Sequence, residues 1–382
     1  MRGNITKRGK TSYRIKFELP PSKDGTRNYH VETVRGSRQD AERELAKQIS
    51  AVHGGTYVEQ AKTTVGEYLV NWLDGLHGLA GKTVERYRQL AQQQINPHLG
   101  HIVLQKLRPV EVKTWHAKLL KEGGKDGGPL SAQTVQHAHR CLHTALQAAV
   151  LTEMVARNVA SVVRSPKVEQ DEVEILGHDQ IAAVIKALDG HPLKAIAVVA
   201  LGSGARRGEL LALTWGNINL DKATMQITRS LEQTKAGLKF KSPKNSYSRR
   251  TITLPATAVE ALRVHRKQQL ETRLKMGQGR PDADTLVFSR ADGSAYPPND
   301  LSRDWVRVIN ARKLPAVSFH GLRHTHASGL ISKRVDVLTV SRRLGHADAV
   351  VTMKRYAHLF VQNDSTAADA IEAALRSKEK AQ

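Results

Sequence analysis

The period of the apolar pattern changes along this chain, and those changes limit what it can fold into. Residues 11–34, "TSYRIKFELPPSKDGTRNYHVETV", hold two short runs rich in aromatic and β-branched residues around a Pro, Asp and Gly turn, which predicts a small sheet. From Ser37, an N-cap candidate, the period becomes helical: Ala41, Leu45, Ile49 and Val52 recur until Gly54 and Gly55. A sheet plus one helix in about sixty residues is a module near the lower limit for independent stability. Thr64 and Glu67 then form a capping-box pattern ahead of "VGEYLVNWL", whose Val65, Tyr68, Leu69, Trp72 and Leu73 share one face. Helical stretches follow near 82–95, 109–121 and 131–155, separated by "NPHLGH" and "EGGKDGGP", and the charged "RSPKVEQDEVE" reads as a linker. Beyond it the helical "ILGHDQIAAVIKAL" gives way to the strand-like "TMQITRSL" and "RRTITLP". These are expected to form one hairpin around a tip carrying Lys235, Lys239, Lys241 and Lys244, and helices resume past about residue 257.

The expected fold class is multidomain, mainly α with β: a small β-sheet-plus-helix N-terminal module (1–61), an all-helical domain (62–164), and a mixed, mainly helical domain with a β-hairpin (175–382). Lys and Arg outnumber Asp and Glu 59 to 36, a formal charge of +23 spread along all 382 residues rather than gathered in a tail. A long polyanion is the natural partner of such a chain; a basic but merely soluble protein is the alternative. The basic "MRGNITKRGK" is followed by no apolar stretch, and "AIAVVAL" at 195–201 is far too short to span a bilayer, so a soluble, unexported protein with no membrane partner is expected. The single cysteine, Cys141, excludes internal disulfides and cysteine metal clusters and fits the cytoplasm. It falls in an apolar helical series with Val135, Ala138 and Ala145, as a buried, inert thiol would.

Three segments carry candidate chemistry. "GSGARRGELLALTW" puts Arg206 and Arg207 after a glycine bend, with Glu209 one helical turn beyond Arg206. A glycine-flanked arginine can approach a phosphate closely; an intrahelical Arg–Glu pair fits the spacing equally well. "SFHGLRHTHASGL" sets His320 and Arg323 one turn apart, so that both can face one anion, the guanidinium holding two phosphate oxygens while the imidazole moves a proton. The rival there is a metal site from His320, His324 and His326, although no HExxH arrangement and no zinc-type cysteine spacing accompanies them. In "RLGHADAVVTMKRYAH", His346 precedes a helix whose expected buried stripe is Val350, Met353, Ala357 and Phe360. Tyr356 falls at the edge of that stripe, where packing holds the ring while the hydroxyl reaches outward. A nucleophile and an ordinary border tyrosine both fit that position.

Taken together, "GARRGELLAL", "PKNSYSRRTITLP", "HGLRHTHAS" and "LGHADAVVTMKRY" resemble, in order and spacing, the active-site boxes of the tyrosine recombinases, the phage integrase family. Upstream, "INPHLGHIVLQKLRPVEV" and "LSAQTVQHAHRCLHTALQAAVLTEMVARNVA" look like that family's helical core-DNA-binding domain, and the N-terminal module is similar in layout to the arm-binding domain of phage-lambda type integrases. By position, the resemblance implies that Arg206 and Arg323 clamp the scissile phosphate, that Lys244 (with Lys239 as the fallback) protonates the leaving 5′ oxygen, and that His320 and His346 handle hydrogen bonds and protons. Tyr356 becomes the nucleophile and Glu209 a supporting acid. It implies a site-specific recombinase working without metal, cofactor or ATP through a 3′-phosphotyrosyl intermediate, integrating and excising a prophage or other mobile element. Its partners would be double-stranded DNA at core and arm-type sites, three more copies in a homotetramer, and accessory DNA-bending and directionality proteins, in the bacterial cytoplasm at the nucleoid. A non-catalytic DNA-binding regulator and a type IB topoisomerase are the rival readings. The C-terminal "STAADAIEAALRSKEKAQ", with Ser365 as cap and Ala367, Ile371 and Ala374 on one face, would dock on a neighbouring subunit or fold back on its own.

Overall fold

The computed structural model describes residues 3–19, 26–54, 57–58, 61–168, 174–242, 249–356, 371, 372 and 375. The chain divides into two units, Met1–Gln170 and Asp171–Gln382. In the first, β1 (Gly3–Gly9), β2 (Ser12–Leu19) and β3 (Asn28–Arg35) form an antiparallel sheet in that order, with Ile5 opposite Ile15 and Ile15 opposite Glu32. Alternation along β2 buries Ile15 and Phe17 and exposes Arg14 and Lys16. Helix α1 (Arg38–His53) covers the apolar face. Ser37 does cap it: its hydroxyl takes the Asp40 N–H, and the Asp40 carboxylate takes the Ser37 N–H.

The Thr64–Glu67 capping box opens α2 (Val65–Asp74), which buries Val65, Tyr68, Leu69 and Leu73. Helix α3 (Gly81–Leu90) does not stop at Ile95. It passes through a π turn (Ala91–Ile95) into α4 (Asn96–Leu99), so the "NPHL" expected to separate helices is itself helical. Pro97 is tolerated because it sits in the first turn of α4, and the indole N–H of Trp115 donates to the Gln94 carbonyl inside the π turn at 2.8 Å. Helices α5 (Pro109–Glu122) and α6 (Ala132–Leu151) complete the bundle around Trp115, Leu119 and Leu142, with Cys141 buried among them. Burial pushes that thiol up to about 12, which keeps it protonated.

In the second unit α7 (His178–Ala187) precedes α8 (Lys194–Ser203), the "AIAVVAL" helix, which is buried on nearly every side between α10 and α12, defined below. Helix α9 (Arg207–Leu211) follows the Gly204 bend. The single expected hairpin is two structures. Strands β4 (Ile218–Asn219), β5 (Thr224–Ile227) and β8 (Arg250–Thr253) make one sheet, with Met225 opposite Ile252, whereas β6 (Ser230–Thr234) and β7 (Gly237–Lys241) form a hairpin of their own. The run "TMQITRSL" breaks at Arg229, whose side chain turns to the Ala212 carbonyl at 3.0 Å and stacks on Phe240. Lys239 and Lys241 stand on β7, Lys241 paired with Glu232, while Lys244 lies outside the described residues. Helices α10 (Ala256–Lys275), α11 (Pro298–Ala311), α12 (Gly321–Ser332), α13 (Val337–Leu344) and α14 (Ala349–Tyr356) follow. Of the C-terminal segment, Ile371 is exposed, and Ser365, Ala367 and Ala374 lie outside the described residues. Among the described residues no helix is long and apolar enough to cross a membrane.

Candidate active site

Glu209 organises the site from beneath. As the third residue of α9, its carboxylate takes the Arg206 backbone N–H at 2.8 Å, so Arg206 is the cap of the helix rather than a member of its face. The two readings of the Arg206–Glu209 spacing are therefore compatible. One guanidinium nitrogen binds Glu209 Oε1 at 2.8 Å and another binds the Gly345 carbonyl at 2.9 Å, yet 39% of the side chain stays exposed at the helix N-terminus. Arg250 of β8, which sequence reasoning missed, lays its guanidinium on both Glu209 oxygens at 2.8 and 3.2 Å and donates to the Arg343 carbonyl. Glu209 is only 5% exposed. Burial alone would raise its pKa, but the Arg250 bonds and charge, with Arg206 behind them, outweigh that and hold it below the ordinary carboxylate range.

Arg323, on α12, is 4% exposed and donates to the Gly204 carbonyl at 2.7 Å and to His346 Nε2 at 2.9 Å. Burial and the nearby Arg206 push its pKa down to about 9, so it remains a cation at neutral pH. Among the described residues its hydrogen bonds go to a carbonyl and a neutral imidazole, with the charge of Glu209 near enough to act on it. Gly204 ends α8 in the left-handed region at φ 66°, and a Cβ there would stand 2.5 Å from the His326 ring.

The histidines divide their work. His346 follows the left-handed Gly345 at the end of α13; it accepts from Arg323 through Nε2, so its proton is on Nδ1, donated to Thr352 Oγ1 at 2.7 Å. Burial, then Arg323 and Arg206, press it down to about 4, leaving it neutral. His326 bridges the Leu201 carbonyl and Arg343 Nε, a structural role between α8 and α13. His324 turns to Tyr356, its Nδ1 2.5 Å from the phenol oxygen, and His320 stacks edge-on against His324 with ring centres 4.8 Å apart. Burial and the charges of Arg323 and Arg206 lower His320. The three clustered histidines therefore face three different surroundings, and among the described residues no group of three or more His, Cys, Asp or Glu side chains is placed to hold a metal ion.

Tyr356 overturns the expected helix face. Val350 and Met353 are 45% and 51% exposed, and the buried face of α14 is Thr352 with Tyr356, the latter 2% exposed against Ala327, Ile331, Val340 and Leu344. Hydropathy alone points the valine and methionine inward, but Thr352 must reach His346 and Tyr356 must reach His324, and those two polar bonds set the rotation of the helix. Ala357 and Phe360 lie outside the described residues. The phenol does not reach outward: burial raises its pKa, and Arg323 and Arg355 are close enough to oppose that rise. Arg206, Glu209, Arg323, His320, His346 and Tyr356 thus gather around one spot from segments that are far apart in sequence. Arg250 and Thr352 join them without a signal of their own in the sequence, and His324, weighed there only as a metal ligand, joins them through Tyr356.

The phage integrase family model matches residues 169–363, and the N-terminal SAM-like domain of phage integrases matches residues 64–120. An integrase of Streptomyces ambofaciens is 30% identical over 341 residues, 84% of this chain and 84% of its own length. The chain belongs to the phage integrase family. As an integrase-family member it is a tyrosine-type site-specific recombinase, an enzyme that cleaves and transfers DNA strands in the integration and excision of mobile elements. A XerC-like tyrosine recombinase of Caldanaerobacter subterraneus subsp. tengcongensis is 26% identical over 388 residues, 96% of this chain and 97% of its own. The integrase fold is equally plain in space. The solved structure of the Tn1549 transposon integrase in complex with transposon right-end DNA superposes with a TM-score of 0.68, covering 81% of this chain and 99% of that one at 19% identity.

Proposed function

We propose that Tyr356 is the nucleophile of this recombinase, attacking a DNA phosphate held between Arg206 and Arg323 and leaving a 3′-phosphotyrosyl link. The observation that carries this reading is Arg323: a buried guanidinium that, among the described residues, hydrogen-bonds only uncharged groups, beside the half-open Arg206 and within electrostatic reach of the phenol. Two cations with the N–H of His320 stabilise the charge that builds on the equatorial oxygens, while His346, bonded to Arg323, holds that guanidinium in place, which accounts for catalysis without a metal ion or other cofactor. Lys244 supplies the proton for the leaving 5′ oxygen. The covalent bond conserves the energy of the broken one, so rejoining needs no ATP. Burial keeps the phenol protonated in the free protein, so its attack needs a group that takes the proton as the Oη–P bond forms.

Residues 62–164 grip the core site and residues 1–61 an arm-type site, a reading supported by the exposed Arg14 and Lys16 on the outer face of the N-terminal sheet. Residues 175–382 form the catalytic domain. Four copies on paired sites, helped by DNA-bending and directionality proteins, would exchange strands at the nucleoid in the cytoplasm. The test is Tyr356→Phe, which keeps the ring packing and removes the oxygen. On a nicked suicide duplex built on the core repeat flanking the gene, the wild type traps a denaturation-resistant adduct that maps to Tyr356. The Phe variant binds with similar affinity, because the charge of the DNA backbone dominates binding, and traps none. An adduct on the Phe variant overturns the assignment.

A further inference from the structure

The resemblance hands proton traffic to His320 and His346 and leaves His324 without a task, yet His324 is the group bonded to the phenol. We infer that His324 is a catalytic residue that accepts the Tyr356 proton as the phenol attacks phosphorus; this rests on Tyr356 being the nucleophile. The geometry is specific. Arg323 and His324 are consecutive on α12 and diverge, the first toward Gly204 and His346, the second toward the end of α14, where Nδ1 and Oη stand 2.5 Å apart with ring centres at 5.8 Å. That separation is at the short end for a hydrogen bond from a hydroxyl. A phenol O–H donating to Nδ1 requires the neutral ring to carry its own hydrogen on Nε2.

The surroundings keep the ring neutral. Burial presses it down to about 4, with help from the charged and titratable groups facing it: His320 at the N-cap of its helix, Arg323 on that helix, Arg355 on α14 and His346 beyond α13. In the free protein the same cations make an imidazolium costly, so the phenol keeps its proton. A phosphate between Arg206 and Arg323 offsets that charge and raises the basicity of the imidazole. The Oη–H bond then breaks toward Nδ1 while the Oη–P bond forms and the P–O5′ bond breaks, the 5′ oxygen taking its proton from Lys244. On rejoining, the 5′ hydroxyl returns its proton to Lys244 and attacks phosphorus, and the departing Tyr356 oxygen recovers its proton from the imidazolium. His320, edge-on to His324, orients it.

The test uses the full chain and first-turnover adduct formation on the nicked core duplex. In His324→Asn an amide oxygen can accept the phenol hydrogen bond but no proton. Adduct formation should slow by about 100-fold or more at neutral pH, the usual scale of a lost proton acceptor, and recover roughly tenfold per pH unit as base is added, with core-site binding unchanged. Wild-type cleavage should show an acid limb between about 4, the value of the ring in the free protein, and about 6.5, that of free imidazole; His320 and His346 can contribute to such a limb, but it must be present if His324 takes the proton, whether or not the variant folds. A His324→Asn variant that cleaves at the wild-type rate, one equally impaired at every pH, or a wild-type profile without the acid limb overturns the inference. If the wild-type adduct maps to a residue other than Tyr356, it is the nucleophile assignment that fails, whatever His324 does.

Discussion

The centre of the site is a carboxylate shared by two guanidinium groups, and Glu209→Gln isolates what that charge contributes. Gln keeps the shape but leaves the buried Arg250 facing a neutral amide, and breaking a buried pair from one side costs about 3–5 kcal/mol. Denaturant titration at neutral pH should read a loss of that order. The pH dependence has a definite sign. Because the folded-state pKa of Glu209 lies below its ordinary value of 4.5, its stabilisation is fully present above that value and lost as pH falls through the lowered one. The gap between wild type and variant should therefore be constant above about pH 5 and narrow in stronger acid. Activity should fall further than stability, since Arg206 loses the partner that aims it.

At the scale of elements, the helix termini hold the site. The end of α8 offers the Gly204 carbonyl to Arg323, the start of α9 presents Arg206, and the end of α13 offers the Gly345 carbonyl to Arg206. Both glycines are left-handed, at φ 66° and 68°. Gly204→Ala should cost about 1–2 kcal/mol for the left-handed backbone alone, and more because its Cβ would meet His326 and Leu344. The expected signature is a lowered denaturation midpoint together with slowed adduct formation at a temperature where the variant is still folded. A variant that loses stability but cleaves normally would show that the Arg323 seat survives the shift. Local rules reached the caps at Ser37 and Thr64, because a cap is a contract among residues three apart. They failed at the "NPHL" turn and at Arg229, where a bond to a distant carbonyl decides whether a helix continues or a strand breaks.

For the whole molecule, the charge of +23 makes DNA affinity a salt-dependent quantity, and its distribution can be tested by truncation. Removing residues 1–61 should abolish integration while leaving cleavage of isolated core duplex intact. On DNA carrying both site types the salt slope of binding should shrink by about 0.9 for each phosphate that the missing module no longer neutralises, and on core duplex it should not change. A truncated chain that integrates normally would refute the arm-site assignment.

Most of the helices, the two strands around the Pro, Asp and Gly turn, the basic character and most of the candidate side chains were legible in the sequence itself, since each depends on neighbours within a turn or on a simple sum of charge; β1, the π turn, the separation of β5 from β6 and Arg250 were not. Tertiary structure alone decided how they meet. Arg206 and Gly345 are 139 residues apart, Glu209 and Arg250 are 41 apart, and His324 and Tyr356 are 32 apart. Hydropathy turned α14 the wrong way because it weighs a valine or methionine by its own transfer energy, whereas the helix rotates to satisfy a buried phenol and a buried threonine hydroxyl whose partners lie on other elements.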